Sequence, residues 1–290
     1  MGNKPRRITI IYKKGRRLAS EVGLEIRDWL KKRSISVDFW ENIDDPERFR
    51  AEGPPITIHP DTEAIVVLGG DGTILSVSRL LTGRLTPIVG INIGGGMGFM
   101  TEVCMEDRYE VLNFLLERRY DIEQRMRLLI DVYRDEKLVF EQTVLNDAVL
   151  NKAALARIIK LRVSINKDYL TTYKGDGLII ATPTGSTAYN ISAGGPIVYP
   201  TAQALILTPI CSFTLSNRPI ILRDEMEVEV ELEEKATEVT LTCDGQVGLN
   251  LMPTDVVIIH RAPVPLNLIR TPFNNYFDIL RSKLKWGHID

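Results

Sequence analysis

The chain has 290 residues, 44% of them apolar, with 36 Lys and Arg against 38 Asp and Glu for a net charge of −2. That composition supplies the apolar surface for one large domain or two smaller ones and excludes global disorder. The near balance of charge gives no electrostatic footprint for nucleic acid, so any anionic ligand has to be held by a local site.

"RITIIYK" is a short β-branched run, followed by "RRLASEVGLEIRDWLKKR" with Ala19, Val22, Ile26 and Trp29 or Leu30 at helical spacing. "SISVDFW" and "EAIVVL" read as the next two strands. A glycine turn leads from there into "TILSVSRLLTG", a helix beginning near Thr73 and stopping at Gly83. "TPIVGIN" is a fourth strand closed by "IGGGMGF", and "EDRYEVLNFLLERR" is another amphipathic helix. This alternation predicts an open, mostly parallel, Rossmann-like sheet in an α/β domain over residues 1–122, with ligands bound at the carboxyl ends of its strands.

Beyond residue 122 the period changes to two. "KLRVSIN" puts Leu161, Val163 and Ile165 on one side, "EMEVEVELEE" alternates Met226, Val228, Val230 and Leu232 with glutamates, and "EVTLTCD" repeats the theme. Strands with one wet face predict an all-β sandwich over residues 123–267. Helical spacing returns in "NNYFDILRSKLKW" through Phe277, Leu280 and Leu284. The segment 268–290 is expected to pack back on the first domain.

Cys104, Cys211 and Cys243 form neither a metal-type pair nor a disulfide framework, which fits a reducing compartment. His59, His260 and His288 are equally scattered, so solvated or core roles outweigh zinc ligation. "MGNKPRRITIIYKKG" lacks the apolar run of a secretory signal, Gly2 lacks the Ser or Thr at position 6 of a myristoylation motif, and no segment reaches transmembrane length. A soluble cytoplasmic protein, engaging neither membrane nor nucleic acid, is expected.

Gly69, Gly70 and Gly72 surround Asp71 at the end of the "VVL" strand. Glycine permits positive φ and lets N–H groups approach an oxyanion, and the helix start at Thr73 adds partial positive charge. The lysine of a Walker A loop is missing, and "GGGMGF" fails the spacing of a dinucleotide fingerprint. An acid in an anion cradle needs a divalent cation between it and the phosphate, or a hydroxyl whose proton it accepts. The blander reading is that Asp71 caps the following helix.

A second stretch, "YKGDGLIIATPTGSTAYNISAGGP" over 173–196, sets Lys174 and Asp176 around Gly175 and offers the hydroxyls of Thr184, Ser186, Thr187, Tyr189 and Ser192. Such a loop can hydrogen-bond a sugar and a base edge, although Ser- and Thr-rich stretches are also ordinary turns. Ser186 is outside a G-x-S-x-G context and has no evident histidine partner, which argues against a hydrolase nucleophile. "LNDAVLNK" pairs Asn146 with Asp147, an amide and an acid suited to an adenine edge and a ribose, or to a turn. "TCDGQVG" places Asp244 before a glycine, where a hairpin turn has the edge over a ligand contact.

Taken together, "GGDGT" at 69–73, "GIN…GFMTE" at 90–102, "ND" at 146–147, "GDGLIIATPTGSTAY" at 175–189, "DGQ" at 244–246 and "NYFDILRSKLKWG" at 275–287 resemble the NAD kinase family over nearly the whole chain. "GGDGT" alone is shared with diacylglycerol- and sphingosine-type lipid kinases, while "TPTGSTAY" downstream of the Asn-acid pair singles out NAD kinases. The resemblance implies transfer of a phosphoryl group from ATP or polyphosphate, with Mg²⁺ or another divalent cation, to the 2′-hydroxyl of the adenosine ribose of NAD. Asp71 would be the base, with Gly69, Gly70, Gly72 and Thr73 around the phosphates. Asn146 and Asp147 would hold NAD, with Asp176 on the nicotinamide side. Thr187, Ala188, Tyr189 and Ser192 would line the adenine and ribose pocket, Thr184 would also bind NAD, and Phe99 would pack on the nucleotide. Asp244 and Gln246 are further candidates. Lys174 would contribute across a subunit boundary, since the resemblance implies a homodimer or homotetramer built through the β domain. Two features depart from the family pattern: Asn-Glu is usual where Asn146-Asp147 stands, and the glycine stretch 94–98 is one residue longer and lacks a common polar or basic residue. A lipid kinase using the same turn, or a non-catalytic NAD-binding sensor that has no need of Asp71, are the rival readings.

Overall fold

A computed structural model describes residues 6–42, 56–94, 98–152, 158–214, 216–233, 238–272 and 275–286. Of the positions singled out above, Gly2, Gly95, Gly96, Met97 and His288 lie outside the described residues. The chain divides into two units, one formed by the stretch through Gln124 together with that from Asn267 onward, the other by Arg125–Leu266.

The first unit is built on a seven-stranded sheet. In chain order its strands are β1 (Arg7–Tyr12), β2 (Ser36–Glu41), β3 (Thr62–Gly69), β4 (Ile88–Asn92), β5 (Val103–Cys104), β6 (Asp121–Arg125) and, from the far end of the chain, β19 (Leu266–Arg270). Their order in space is β2-β1-β3-β4-β19-β6, with β5 added to β4. β1 pairs with β2 and β3 in parallel, and β4 pairs in parallel with β3, β5 and β19. β3 is buried along nearly its whole length, which is why it reads as a continuous apolar run. Helix α1 (Arg17–Lys31) buries Ala19, Val22, Ile26 and Leu30. Trp29 is half-buried against the edge of this core, with the Arg33 guanidinium 3.6 Å from its ring centroid. Each fully buried Leu or Ile of this kind contributes roughly 1.5–3 kcal/mol.

Helix α2 spans Asp71–Leu80. It begins two residues before the expected Thr73 and ends short of Gly83, whose φ of +76° marks the left-handed turn beyond it. Helix α3 (Arg108–Glu117) follows, and α4 (Tyr276–Leu284) is capped by Asn275, whose Oδ1 accepts the Asp278 N–H at 3.0 Å. The face that α4 buries carries Tyr276, Ile279 and Leu280; Phe277, expected on it, is exposed. Leu280 is buried as expected and Leu284 is half-buried; only Phe277 is out of phase, its place at the start of the buried face being taken by Tyr276. No helix among the described residues is long and apolar enough to cross a membrane.

The second unit contains two six-stranded antiparallel sheets. One has the order β11 (Asp168–Gly175), β10 (Ile159–Ile165), β15 (Val228–Leu232), β18 (Asp255–Arg261), β7 (Leu128–Arg134), β8 (Lys137–Val144). The other runs β14 (Ile220–Arg223), β13 (Ala204–Ile210), β12 (Gly177–Ala181), β9 (Asp147–Lys152), β16 (Val239–Cys243), β17 (Val247–Leu251). Alternate residues of both form one core, with Leu161, Val163, Val228 and Val230 from the first and Ala148, Leu150, Leu178, Ile180 and Leu241 from the second. β12 is buried on both faces: Ile179 and Ala181 join Val149, Ile206 and Ile210 in a second cluster on the outer side. This central pair, β9 and β12, sets where the polar residues at the strand ends fall. The chain is thus an α/β unit with a predominantly parallel sheet plus an antiparallel β sandwich.

Candidate functional site

In the first unit, β3 ends at Gly69 and α2 starts at Asp71, with Gly70 between them in extended backbone (φ −111°, ψ −173°). None of Gly69, Gly70 and Gly72 has a positive φ, so the turn does not use glycine for its left-handed freedom. Gly69 is there for room, since a Cβ would overlap the Thr73 side chain. Thr73 itself is buried.

Asp71 does not cap its own helix. Its carboxylate reaches the segment 98–101 instead. Oδ2 accepts the Phe99 N–H at 2.8 Å, while Oδ1 accepts the Met100 N–H at 3.1 Å, the Thr101 N–H at 3.0 Å and the Thr101 hydroxyl at 3.0 Å. A Cβ on Gly98 would overlap both Asp71 Oδ1 and Thr101 Oγ1, so only glycine allows this approach. The fully buried Thr101 is held in turn: its Oγ1 accepts from Asn92 Nδ2 at 3.0 Å, and Asn92 Oδ1 accepts the Gly94 N–H at 2.8 Å. Oδ1 is therefore saturated, whereas Oδ2 has one donor and keeps acceptor capacity. Phe99 lies with its ring centroid 6.4 Å from that of Tyr276.

In the second unit, a cavity of about 370 Å³ is lined by Asn146, Asp147, Val149, Asn151, Ala188, Tyr189, Thr242, Asp244 and Gly245. Asn146 and Asp147 stand at the start of β9. Past the end of β12, the Thr182 hydroxyl donates to the Leu145 carbonyl at 2.6 Å, and the Thr182 N–H donates to the Asn146 carbonyl at 2.8 Å. The following 3₁₀ turn (Thr184–Thr187) and one-turn helix (Tyr189–Ser192) bring Ala188 and Tyr189 to the cavity. Asp244 and Gly245 have φ of +52° and +64°, and the Gln246 N–H donates to the Cys243 carbonyl at 3.0 Å. These features define a primed turn within the three-residue connection between β16 and β17, where Cys243 faces Val247. The Asp244 carboxylate also accepts backbone N–H groups from Leu145 (3.0 and 3.2 Å), Asn146 (2.6 Å) and Asp147 (3.3 Å).

Asp147 is 4% exposed. Burial first, and then the Asp244 charge, push its carboxyl up to about 7, against the Tyr189 backbone N–H that favours the ionised form. Burial lowers the proton affinity of Arg127, and the nearby Asp244 charge opposes that.

Other expected residues lie elsewhere. Thr184 is buried with its Oγ1 3.4 Å from Arg125 Nη1, and the Thr187 hydroxyl donates to the Thr184 carbonyl at 3.4 Å. Asp176 pairs with Lys152 Nζ at 3.1 Å, Lys174 is exposed, and Ser192 is exposed as well. None of these, nor Gln246, lines the cavity. Ser186 is fully buried, its hydroxyl donating to the Pro183 carbonyl at 2.7 Å and accepting the Val198 N–H at 3.1 Å, so it staples the loop. Val149, Asn151 and Thr242 are additional lining residues. Alternation along "DAVLN" puts Asp147, Val149 and Asn151 on one face of β9, and β16 places Thr242 opposite Val149.

An acid held in a glycine turn of an α/β unit and a polar, nucleotide-sized cavity in a β sandwich are the parts of a small-molecule kinase. Residues 8–120 match the ATP-NAD kinase N-terminal domain and residues 145–271 the ATP-NAD kinase C-terminal domain. The chain is 51% identical over 282 residues to an NAD kinase of Syntrophobacter fumaroxidans, covering 97% of this chain and 99% of that protein. It is 50% identical over 229 residues to an NAD kinase of Geobacter metallireducens, covering 79% and 81%. Among solved structures, an Archaeoglobus fulgidus NAD kinase in complex with ATP superposes with a TM-score of 0.73 at 26% identity, over 95% of this chain and 99% of that one. Yeast NADH kinase complexed with NADH shares the fold, with a TM-score of 0.85 at 21% identity over 100% and 90%. The chain belongs to the NAD kinase family. It is a phosphotransferase acting on the 2′-hydroxyl of the adenosine ribose of NAD to give NADP, and the lipid-kinase and non-catalytic readings are set aside.

Proposed function

We propose that Asp71 is the general base of this reaction and that the 370 Å³ cavity holds NAD through Asn146 and Asp147. The observation that carries the base role is the unequal loading of the carboxylate: three donors fix Oδ1, and Oδ2 is left with acceptor capacity. The 2′-hydroxyl oxygen bonds to the terminal phosphorus of the donor as its proton passes to Asp71 Oδ2. The phosphoanhydride bond breaks, and the electron pair leaves with the shortened donor. Asp147 accepts ribose hydroxyls, Asn146 supplies an amide for a base edge, and the half-exposed Tyr189 offers an aromatic face and a hydroxyl.

The donor is ATP, a reading supported by the complex of the Archaeoglobus fulgidus relative with ATP, with polyphosphate as the alternative. Among the described residues no three carboxylate, imidazole or thiol side chains converge on a common point. Mg²⁺ or another divalent cation would be carried by the donor's phosphate oxygens and would neutralise their charge. The protein acts in the cytoplasm as a homodimer or homotetramer assembled through the β unit. Purified protein is expected to form NADP from NAD with ATP and Mg²⁺ and to stop when the cation is chelated; parallel assays with polyphosphate decide the second donor. Absence of NADP with either donor overturns the reading.

The hydrogen-bond chain behind Asp71 makes its own prediction. Thr101→Val keeps the shape but removes the hydroxyl that joins Asn92 to Asp71. It lowers kcat roughly tenfold, in line with the loss of one charge-assisted hydrogen bond. KM for NAD is unchanged, and Thr101→Ser restores the rate.

A further inference from the structure

We infer that Asp244 is a positioning residue for NAD: from the β16–β17 turn its carboxylate fixes the backbone of Leu145–Asp147 and so sets how Asn146 and Asp147 are presented to the nucleotide. This rests on the reading that Asn146 and Asp147 hold NAD.

A hairpin turn alone does not require this acid. Both central residues of the turn are left-handed, a conformation that Asn or Gly satisfies as well as Asp. What an aspartate adds is a buried negative charge, 6% exposed, receiving three successive peptide N–H groups. Leu145 and Asn146 precede β9, outside the strand ladder, and their N–H groups go to this carboxylate instead. The tie is reciprocal, because the Asp244 N–H donates to the Asp147 carbonyl at 2.9 Å. Gly185 closes the same segment from the other side, where a Cβ would overlap the Asn146 carbonyl. The Asn146–Asp147 backbone is thus clamped between a carboxylate and a glycine, and side chains on a clamped backbone meet a ligand with no backbone ordering left to do.

The carboxylate has a second effect. Asp147 faces Asp244 from the hairpin turn and the Tyr189 N–H from the one-turn helix, while Arg127 lies within electrostatic reach of Asp244. The like charge raises the proton affinity of Asp147. Ionised Asp147 is the form that accepts ribose hydroxyls, so affinity for NAD falls as pH drops below neutrality, and Asp244 sets where that fall begins.

The test is steady-state kinetics of Asp244→Asn and Asp244→Gly, with KM for NAD and for ATP measured between pH 5.5 and 8.5, roughly the window around the Asp147 midpoint. Both variants are expected to raise KM for NAD roughly 10- to 100-fold while leaving KM for ATP as in the wild type. In Asp244→Asn the acid-side rise of KM for NAD moves to lower pH. Wild-type KM for NAD in Asp244→Gly, or an unmoved acid limb in Asp244→Asn, overturns the inference; if the glycine variant does not fold, the pH limb of the asparagine variant decides. Asn146→Ala and Asp147→Asn serve as controls. If these leave KM for NAD unchanged, the NAD-holding reading itself fails. If they raise it while the Asp244 variants do not, only the positioning role fails.

Discussion

Asp71→Asn lowers kcat for NADP formation by about 10²- to 10⁴-fold, the range of a lost general base, while the dissociation constant for NAD changes little. The structure also defines the side effect. The asparagine Oδ1 can keep the Met100 and Thr101 donors, but its amide nitrogen then confronts the Phe99 N–H, donor against donor. An unsatisfied pair of this kind costs about 1–3 kcal/mol, which lowers Tm by a few degrees without unfolding the chain. NAD binding by calorimetry, Tm and kcat are therefore measured on the same preparation. A variant that binds NAD, melts within a few degrees of the wild type and turns over within about tenfold of it removes Asp71 from the chemistry.

Asp147→Asn produces the second large effect, and it depends on pH. The buried carboxyl titrates near 7 in the folded chain, against roughly 3.9 when unfolded. Between these values the native state binds a proton that the unfolded chain has released, so wild-type stability falls as pH rises from about 4 to 7 and levels off above it. A difference of this size in proton affinity corresponds to at most about 4 kcal/mol. Asparagine imitates the protonated acid, can still accept the Tyr189 N–H through Oδ1, and has no charge to bury. The variant is expected to melt several degrees above the wild type at pH 8 and close to it at about pH 4, with weakened NAD binding. Melting curves that stay parallel across pH refute the buried-acid account. An acid that destabilises its own fold at working pH is explained by a ligand that needs its charge.

The architecture was legible wherever one period ran long enough. Ala19, Val22, Ile26 and Leu30 mark α1, and Val228 and Val230 mark β15, because burial alone sets those patterns. The candidate site was legible only in part. Asp71, Asn146, Asp147, Ala188 and Tyr189 announce themselves by chemistry. What each one touches does not, since Asp71 finds its donors 28 to 30 residues away and Asn146 finds the Asp244 carboxylate 98 residues away. The sequence around Asp176 does not show Lys152, which a strand pairing brings beside it. Thr184 and Ser186 both read as hydroxyls open to a ligand; in the fold Thr184 Oγ1 accepts from Arg125, and the Ser186 hydroxyl donates to the Pro183 carbonyl. Local sequence cannot distinguish a hydroxyl that faces a ligand from one that faces the chain, because long-range packing makes that choice.

The position of β19 carries a consequence for biosynthesis. This strand sits inside the first sheet, between β4 and β6, yet it is made after the entire sandwich. While the ribosome is still translating the second unit, β4 and β6 wait with an open slot of unpaired N–H and C=O groups between them. The sandwich can mature first, and the amino-terminal unit closes only when residues 266–270 emerge. Release of nascent chains before that point would leave a sticky, half-built sheet, so arrest there should recruit holdase chaperones, whereas full-length synthesis should not.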